Sequence, residues 1–313
     1  MVRGVKKNKI TQTKKSLLQA ISFCLSQCLI SSDNETYFAY HRRFFWSLKI
    51  PMDQNISSFS FSLSLSLSVV VPMYNEEDNV EPLLKEILQA VSGFKNFEII
   101  VVDDASTDKT VEKLLNLKKD FSQNFSQNLR VLVHEKNSGQ SRAVITGVKQ
   151  AQYPWVVTLD GDGQNNPMDI PKLAAVAAQK EAEKEAAWIL IAGHRAHRKD
   201  TRMKKISSRI ANKVRGSLLK DDCPDTGCGL KLFPKKLFMD LPHFKNMHRF
   251  LPALAKRQGA EIINIKISHR ERVRGVSKYG VMNRLFVGIV DLLGVMWLVR
   301  RPSRALFKEL DKN

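Results

Sequence analysis

The segment WVVTLDGDGQNNP, residues 155–167, ends an apolar run in an abrupt acidic turn. Asp160 and Asp162 alternate with glycines, and Gln164 stands at the next alternate position. Two carboxylates this close repel each other unless a cation lies between them. Mg²⁺ and Mn²⁺ take oxygen ligands, often one or two carboxylates plus substrate phosphates. The pattern indicates a divalent-metal site at Asp160, Asp162 and Gln164, and leaves open a solvated turn between a strand and a helix.

On both sides of this turn, short apolar segments alternate with helical ones. Five strands are predicted, in SVVVP, FEIIVVDD, RVLVHE, WVVTLD and WILIAG. Helices are predicted after the first four strands, in EDNVEPLLKEILQAV, DKTVEKLLNLKKDF, SGQSRAVITGVKQA and PMDIPKLAAVAAQKEAEKEA. Strands that are apolar throughout are typical of a parallel sheet covered on both faces. The sequence therefore predicts a doubly wound, mostly parallel α/β domain with ligands at the carboxyl ends of its strands.

The chain divides into three parts by composition. Residues 1–65 contain a basic run, an interrupted apolar run and a regular alternation of serine with Phe or Leu, and we expect a poorly ordered extension there. Residues 66–280 carry the alternating strands and helices of the predicted catalytic domain. Residues 281–313 are predicted to form a membrane-associated helix and tail.

The last helix is apolar from Leu285 to Val299 except for Asp291. That run is shorter than the roughly 20 residues that a membrane span requires, and a carboxylate at its centre disfavours insertion. Trp297 and the arginines that follow it suit a membrane interface. An interfacial or shallowly buried helix is predicted, with a core helix of the domain as the alternative.

Charge and motifs limit the function classes. The net charge of +19 indicates an anionic partner: a nucleic acid, a phosphorylated substrate or an anionic membrane surface. The Rossmann pattern G-x-G-x-x-G and the P-loop lysine motif are absent, which argues against dinucleotide redox chemistry and P-loop phosphoryl transfer. The four cysteines, in the pairs Cys24/Cys28 and Cys223/Cys228, are predicted to be free thiols.

Polar clusters follow the other predicted strands. They are PMYNEEDN at residues 72–79, DDASTD at residues 103–108 and EKNSGQSRA at residues 135–143. Asp103 and Asp104 are candidates to accept hydrogen bonds from a base or ribose. Ser106 and Asp108 are interpreted as helix N-caps.

These motifs carry a resemblance. PMYNEE, VVDDASTD, NSGQSRA and LDGDGQNNP, in that order and spacing, resemble the family 2 glycosyltransferases with a GT-A fold. Downstream, IAGHR, DTGCGLKLF and RVRGVSKYG resemble the polyprenyl-phosphate sugar transferases, the group that contains dolichyl-phosphate mannosyltransferase. The resemblance covers roughly residues 66–300.

The resemblance implies roles for individual positions. The donor pocket would be formed by Pro72, Tyr74, Glu76, Val102, Asp103, Asp104, Asp160, Gly161 and Asp162. Asp160, Asp162 and Gln164 would hold Mg²⁺ or Mn²⁺ and the donor diphosphate. Cationic catalytic positions that meet phosphates would be Arg195, Arg272 and Lys278. The implied reaction is inverting transfer of a sugar from a nucleotide-diphosphate sugar to a polyprenyl phosphate, at the cytoplasmic face of the membrane.

The chemical class of the acceptor is inferred from the absence of a second carboxylate in one motif. Family members that glycosylate hydroxyls carry an acidic pair in the stretch that corresponds to DTGCGLKLF, where this chain has only Asp225. A lipid phosphate is already an anion and needs no general base. Asp225 is therefore predicted to position a basic residue or cap a turn.

Alternative interpretations stay open for the basic run, for the acceptor and for the class of protein. The run from His194 to Arg215 is predicted to contact lipid headgroups or to guide the lipid phosphate through Arg202, Lys205 and Arg209, unless it is only a solvated helix face. A hydroxyl of a glycan or glycolipid is the alternative acceptor. A basic nucleic-acid-binding protein is a distant alternative, and no nucleic-acid partner is expected because no recognisable motif for one is present.

Overall fold

The structure is a computed structural model that describes residues 65–120, 127–183, 188–195, 215–268, 270 and 281–301. Almost all of the predicted N-terminal extension, residues 1–64, lies outside the described residues. So do the candidate side chains Arg202, Lys205, Arg209, Arg272 and Lys278, and the pair Cys24/Cys28.

One sheet organises the described part of the chain. Its strands are β1 (Ser66–Met73), β2 (Asn96–Asp103), β3 (Leu129–Val133), β4 (Trp155–Thr158), β5 (Ile189–Arg195), β6 (Lys231–Pro234) and β7 (Glu261–Ile267). They are arranged in the order β3-β2-β1-β4-β6-β5-β7. All pairs are parallel except those of β6, which runs antiparallel to β4 and β5. The prediction of a mostly parallel α/β sheet is confirmed.

Helices cover both faces of this sheet. They are α1 (Val80–Val91), α2 (Thr110–Asp120), α3 (Gln140–Gln150), α4 (Ile170–Ala182), α5 (Lys235–Met239), α6 (Leu251–Arg257) and α7 (Val281–Val299). Short 3-10 turns occupy Pro167–Asp169 and Met247–Arg249. The helix predicted from residue 167 thus begins as a 3-10 turn before α4.

Two apolar clusters divide the core along the sheet. α1, α2 and α4 pack on one face, with buried Leu84, Leu114 and Leu173. α3, α5, α6 and α7 pack on the other face, where Val148 and Leu254 are buried. Adjacent residues of each strand point to opposite faces, which explains why the parallel strands are apolar at nearly every position.

Among the residues whose side chains the structure describes, helix α7 packs against the domain along one side. Val295 is fully buried, and Asn246 Nδ2 donates a hydrogen bond to Asp291 Oδ2 at 2.9 Å. The opposite side leaves apolar side chains 49–59% exposed: Ile289, Val290, Leu293 and Trp297. Asp291, the charge that interrupts the apolar sequence, therefore faces a partner in the domain. Across the described residues, no helix has the length and apolar character needed to cross a membrane.

Candidate active site

The acidic turn leaves the centre of the sheet, because β4 lies between β1 and β6. A Cβ atom on Gly161 would come within 2.7 Å of the Pro72 carbonyl oxygen, so the turn passes against the end of β1 at a distance that only glycine allows. Gly163 has a φ of 71°, in the left-handed region that favours glycine. Both glycines of the motif are therefore required by the backbone.

Asp160 is held on three sides. Gln140 Nε2, at the start of α3, donates to Asp160 Oδ1 at 2.7 Å, and Asn165 Nδ2 donates to Asp160 Oδ2 at 3.4 Å. On the third side, a Cβ atom on Gly229 would lie 2.3 Å from Asp160 Cγ. The carboxylate position is therefore fixed by the acidic turn, the start of α3 and the segment before β6.

Electrostatics at Asp160 reflect the closeness of the second carboxylate. Burial, and next the charge of Asp162, raise the pKa of Asp160 to about 6. The positive charges of Lys231 and Arg195 act in the opposite direction. The two carboxyl groups therefore lie close enough for their charges to interact, an arrangement that a cation would stabilise.

The donor atoms available at this turn fit a hard divalent cation. Asp160 and Asp162 supply carboxylate oxygens and Gln164 supplies an amide oxygen, the ligand type that Mg²⁺ and Mn²⁺ prefer. Within the described residues, no group of three or more His, Cys, Asp or Glu side chains could hold a metal ion. Two carboxylates alone leave most coordination positions open, as in sites where substrate phosphates complete the shell.

Arg195 and Asp225 form a fixed ion pair beside the acidic turn. Arg195 Nε donates to Asp225 Oδ2 at 2.7 Å, and its NH2 group donates to Oδ1 at 2.8 Å. This bidentate geometry holds the guanidinium plane in one orientation. Both side chains are nearly buried, 11% and 5% exposed. The prediction that Asp225 positions a basic residue is confirmed, and Arg195 lies close enough for its charge to act on Asp160.

The acidic residues at the end of β2 organise neighbouring loops. Asp104 accepts hydrogen bonds from the main-chain N–H groups of Ser138 at 2.9 Å and Gly139 at 2.7 Å, and it pairs with His134 Nδ1 at 2.7 Å. Asp103 accepts from Ser106 N at 2.9 Å and from the Ser106 hydroxyl at 2.5 Å. Asp104 thus ties β2 to the loop before α3, and Asp103 fixes the loop that directly follows β2. The two carboxylates support the shape of the predicted donor pocket.

The predicted N-caps have different outcomes. Asp108 Oδ1 accepts the Thr110 main-chain N–H at 2.9 Å where α2 begins, which confirms its capping role. Ser106 is not a cap. Its hydroxyl accepts the main-chain N–H of Asn75 at 2.8 Å while donating to Asp103, because the loops after β1 and β2 lie side by side.

The remaining predicted donor residues lie around the same loops. Pro72 is at the end of β1, and Tyr74 and Glu76 follow it with partly exposed side chains. Glu76 Oε2 accepts from Asn79 Nδ2 at 2.7 Å. The Val102 side chain is fully buried in the core beside α3, so a contact between Val102 and the donor would involve its main chain.

Sequence reasoning missed several residues that shape the site. Lys231 is only 3% exposed and donates to the Thr226 carbonyl at 3.1 Å and to that of Cys228, which holds a buried cation near Asp160. Arg270 binds the acidic turn, because its main-chain N–H donates to the Gln164 carbonyl at 3.1 Å and its NH2 group to Asn166 Oδ1 at 2.8 Å. Arg270 begins the stretch that carries the candidates Arg272 and Lys278.

Cys223 and Cys228 are buried free thiols, as predicted. Burial raises the pKa of Cys228 to about 11, so this thiol stays protonated at neutral pH.

The strand order and the acidic turn at the carboxyl end of β4 are those of an α/β fold of the GT-A type. Solved structures agree on the fold. A mannosyltransferase from Pyrobaculum calidifontis, in complex with GDP-Man and Mn²⁺, matches with a TM-score of 0.54 and 18% identity, over 86% of this chain and 73% of that one. Glucosyl-3-phosphoglycerate synthase from Mycobacterium tuberculosis, with Mn²⁺, UDP-Glc and phosphoglyceric acid, matches with a TM-score of 0.54 and 17% identity, over 80% and 85%.

Sequence comparison narrows the class. The family Glycosyl transferase family 2 matches residues 68–241. A dodecaprenyl-phosphate galacturonate synthase from Rhizobium johnstonii is 36% identical over 240 residues, 75% of this chain and 68% of that protein. An undecaprenyl-phosphate 4-deoxy-4-formamido-L-arabinose transferase from Edwardsiella ictaluri is 32% identical over 239 residues, 76% and 69%. The chain belongs to glycosyl transferase family 2, and it is similar to members that act on polyprenyl phosphates.

Proposed function

We propose that this protein is an inverting, metal-dependent glycosyltransferase that moves a sugar from a nucleotide-diphosphate sugar to a polyprenyl phosphate. The names of its relatives in Rhizobium and Edwardsiella support the lipid-phosphate acceptor. The structural observation that carries the proposal is the acidic turn at the carboxyl end of β4, with Arg195 beside it.

The donor diphosphate is the group that this turn is suited to hold. Asp160, Asp162 and Gln164 would hold Mg²⁺ or Mn²⁺ together with the diphosphate oxygens. The ion would supply Lewis-acid stabilisation of the nucleotide diphosphate that leaves. Tyr74 and Glu76 lie next to the loops that Asp103 and Asp104 organise, where the nucleoside would bind. Arg195, Arg272 and Lys278 would compensate phosphate charge.

The state of Asp225 supports a phosphate acceptor over a hydroxyl. Both of its carboxylate oxygens accept hydrogen bonds from Arg195, so Asp225 is committed to positioning that cation. An acceptor phosphate oxygen would form the new bond to the anomeric carbon while the bond from that carbon to the diphosphate breaks. Because the acceptor is already an anion, no proton has to be removed. Arg202, Lys205 and Arg209 are proposed to orient the lipid phosphate.

The proposed location is the cytoplasmic face of the membrane, with the protein attached peripherally or shallowly inserted. The apolar side chains exposed on α7 support this location, since a soluble protein rarely leaves such side chains adjacent without a partner. Trp297 lies near Arg301, whose guanidinium carbon is 5.3 Å from the indole centroid, and both residue types are favoured at membrane interfaces.

A matched pair of acceptors tests the proposal. Purified protein is first screened for hydrolysis of UDP- and GDP-sugars with Mn²⁺, and the active donor is then supplied with either undecaprenyl phosphate or undecaprenol. We expect an acid-labile glycosyl phosphodiester with the phosphate, no product with the alcohol, and loss of activity with EDTA. Transfer to hydroxyl acceptors with none to the lipid phosphate would contradict the proposal and favour a glycan or glycolipid acceptor.

A further inference from the structure

A basic cavity lies between α6, the end of α7 and the helical turn at residues 215–219. Its volume is about 760 Å³, within the range of small-molecule sites. Four cationic side chains line it: Lys220, Lys256, Arg257 and Arg300. The other lining residues are apolar, and no carboxylate is among those that line it in the described part of the chain.

The cavity and the acidic turn lie at opposite ends of the parallel strands. β7 runs parallel to β4, because β5 and β4 are both antiparallel to β6 and β7 is parallel to β5. The acidic turn follows the carboxyl end of β4. Arg257, which lines the cavity, ends α6 just before the amino end of β7. The cavity is therefore distinct from the site proposed for sugar transfer.

The cations around the cavity are held by different means. Arg257 Nε donates to the Leu298 carbonyl at 2.9 Å, and its NH2 group donates to the Arg301 carbonyl at 2.9 Å, so Arg257 fixes the end of α7. Lys256 pairs with Asp222, whose side chain is 63% exposed. Lys220 and Arg300 are exposed at the rim. Among the residues that the structure describes, the lining of the cavity therefore carries four basic side chains and no acidic one.

An apolar surface adjoins this charge. Ile289, Val290, Leu293 and Trp297 recur at helical intervals and share the exposed side of α7. The same helix reaches the cavity at its end, through Val299 and the following Arg300. A free phosphate would need only the cations, whereas an amphiphile with a phosphate headgroup matches the cations and the apolar surface together.

We propose that this cavity binds the phosphate headgroup of an anionic glycerophospholipid while the exposed side of α7 enters the adjoining acyl region. The site would hold the protein at a surface rich in anionic lipid. It does not depend on which donor or acceptor the acidic turn serves.

Vesicle sedimentation of the full chain tests the site. Wild type is compared with the double variant Lys220→Gln/Arg300→Gln on phosphatidylcholine vesicles with and without phosphatidylglycerol. Each basic residue near an anionic surface changes partitioning about five-fold, so the double variant should bind the phosphatidylglycerol vesicles about thirty-fold more weakly. The control variant, Lys95→Gln/Lys119→Gln, removes the same charge from exposed positions on the opposite side of the sheet and should change binding less than about three-fold.

Three results would overturn the proposal. The control variant could lose as much binding as the cavity variant, which would mean diffuse attraction without a site. The cavity variant could bind as wild type does. Millimolar inorganic phosphate could release all of the wild-type protein that phosphatidylglycerol vesicles bind in its absence, which would identify a soluble phosphate as the ligand. Donor hydrolysis in neutral detergent should be equal in all three proteins, so failure of this proposal is separable from failure of the proposed sugar transfer.

Discussion

Asp160 is a carboxyl group on which burial, a like charge and two cations act at once. Burial and Asp162 make its ionised form costly in the metal-free protein, and Gln140, Asn165 and Gly229 keep it in place. A divalent ion would relieve both penalties. The residue is therefore suited to binding a cation and is a source of instability without one.

Stability of the metal-free protein should depend on pH through Asp160. A carboxyl whose pKa rises from 3.8 to about 6 on folding stabilises the folded state below about pH 4, and this contribution is lost as the pH rises through about 6. Asp160→Asn should therefore raise the free energy of unfolding at pH 7 by about 1–2 kcal/mol in EDTA, allowing for partial exposure. Urea unfolding at pH 4.5 and pH 7 measures this, and an equal effect at both pH values would contradict it.

Gly229→Ala should displace the Asp160 carboxylate. The added Cβ would overlap the carboxyl carbon at 2.3 Å, and such overpacking costs about 1–3 kcal/mol. A carboxylate moved by about 1 Å should lower Mn²⁺-dependent nucleotide affinity on the order of ten-fold or more. Gly216→Ala is the matched control, because its Cβ meets open space. Unchanged affinity in Gly229→Ala, measured by calorimetry, would show that the contact does not hold Asp160.

Helix α7 joins the domain through one side and presents apolar side chains on the other. Asp291 binds Asn246 and Arg257 binds the end of the helix, so its orientation is set by polar contacts as well as by burial of Val295. The orientation decides which side chains remain exposed. The buried side of α7 fits the alternative of a core helix, and the interfacial role of its exposed side stays a prediction.

Leu293→Ser should weaken vesicle binding by a similar factor at low and at high salt. Full burial of a leucine contributes about 1.5–3 kcal/mol, which predicts a loss of roughly ten-fold or more, and apolar burial is not screened by ions. Leu115→Ser removes a similarly exposed leucine, 47% against 59% exposed, from α2 on the other side of the sheet. Equal losses in the two variants, measured at 50 mM and 1 M salt, would refute a specific role for α7.

How far the sequence predicts each element depends on the range of its contacts. The four βα units and the acidic turn were predicted because periodicity and local motifs define them. β6 was missed because Lys231–Pro234 is short, contains a lysine and a proline, and is a strand only through pairing with β4 and β5. The contacts of Gln140, Gly229 and Lys231 around Asp160 were missed for a related reason, since they join segments that lie 20 or more residues away in the chain.

Over the whole molecule, the positive charge and the chemistry of the site have separate roles. The net charge of +19 is spread along the chain, while the site centres on two carboxylates. Such a charge attracts anionic substrates and surfaces over a distance set by ionic strength. We propose that recognition at short range depends on the acidic turn, on Arg195 and on the cavity at the end of α7.

A protein that starts at Met52 should keep the fold and the activity. The strands and helices of the described domain begin at Ser66, and the segment before it is of low complexity. The shortened protein should stay soluble in detergent, hydrolyse the donor at an unchanged rate and unfold cooperatively. Loss of cooperative unfolding, followed by circular dichroism, would show that the first residues belong to the core.

The most direct test of the account is the Mn²⁺ dependence of nucleotide binding in Asp162→Asn. Calorimetry with the nucleotide diphosphate of the active donor is performed with Mn²⁺ and with EDTA, using Asp120→Asn as a control at an exposed aspartate. We predict that Mn²⁺ strengthens binding in wild type and the control, and that this gain is largely lost in Asp162→Asn while the melting temperature is retained. The same Mn²⁺-dependent affinity in all three proteins would show that the acidic turn does not hold the metal.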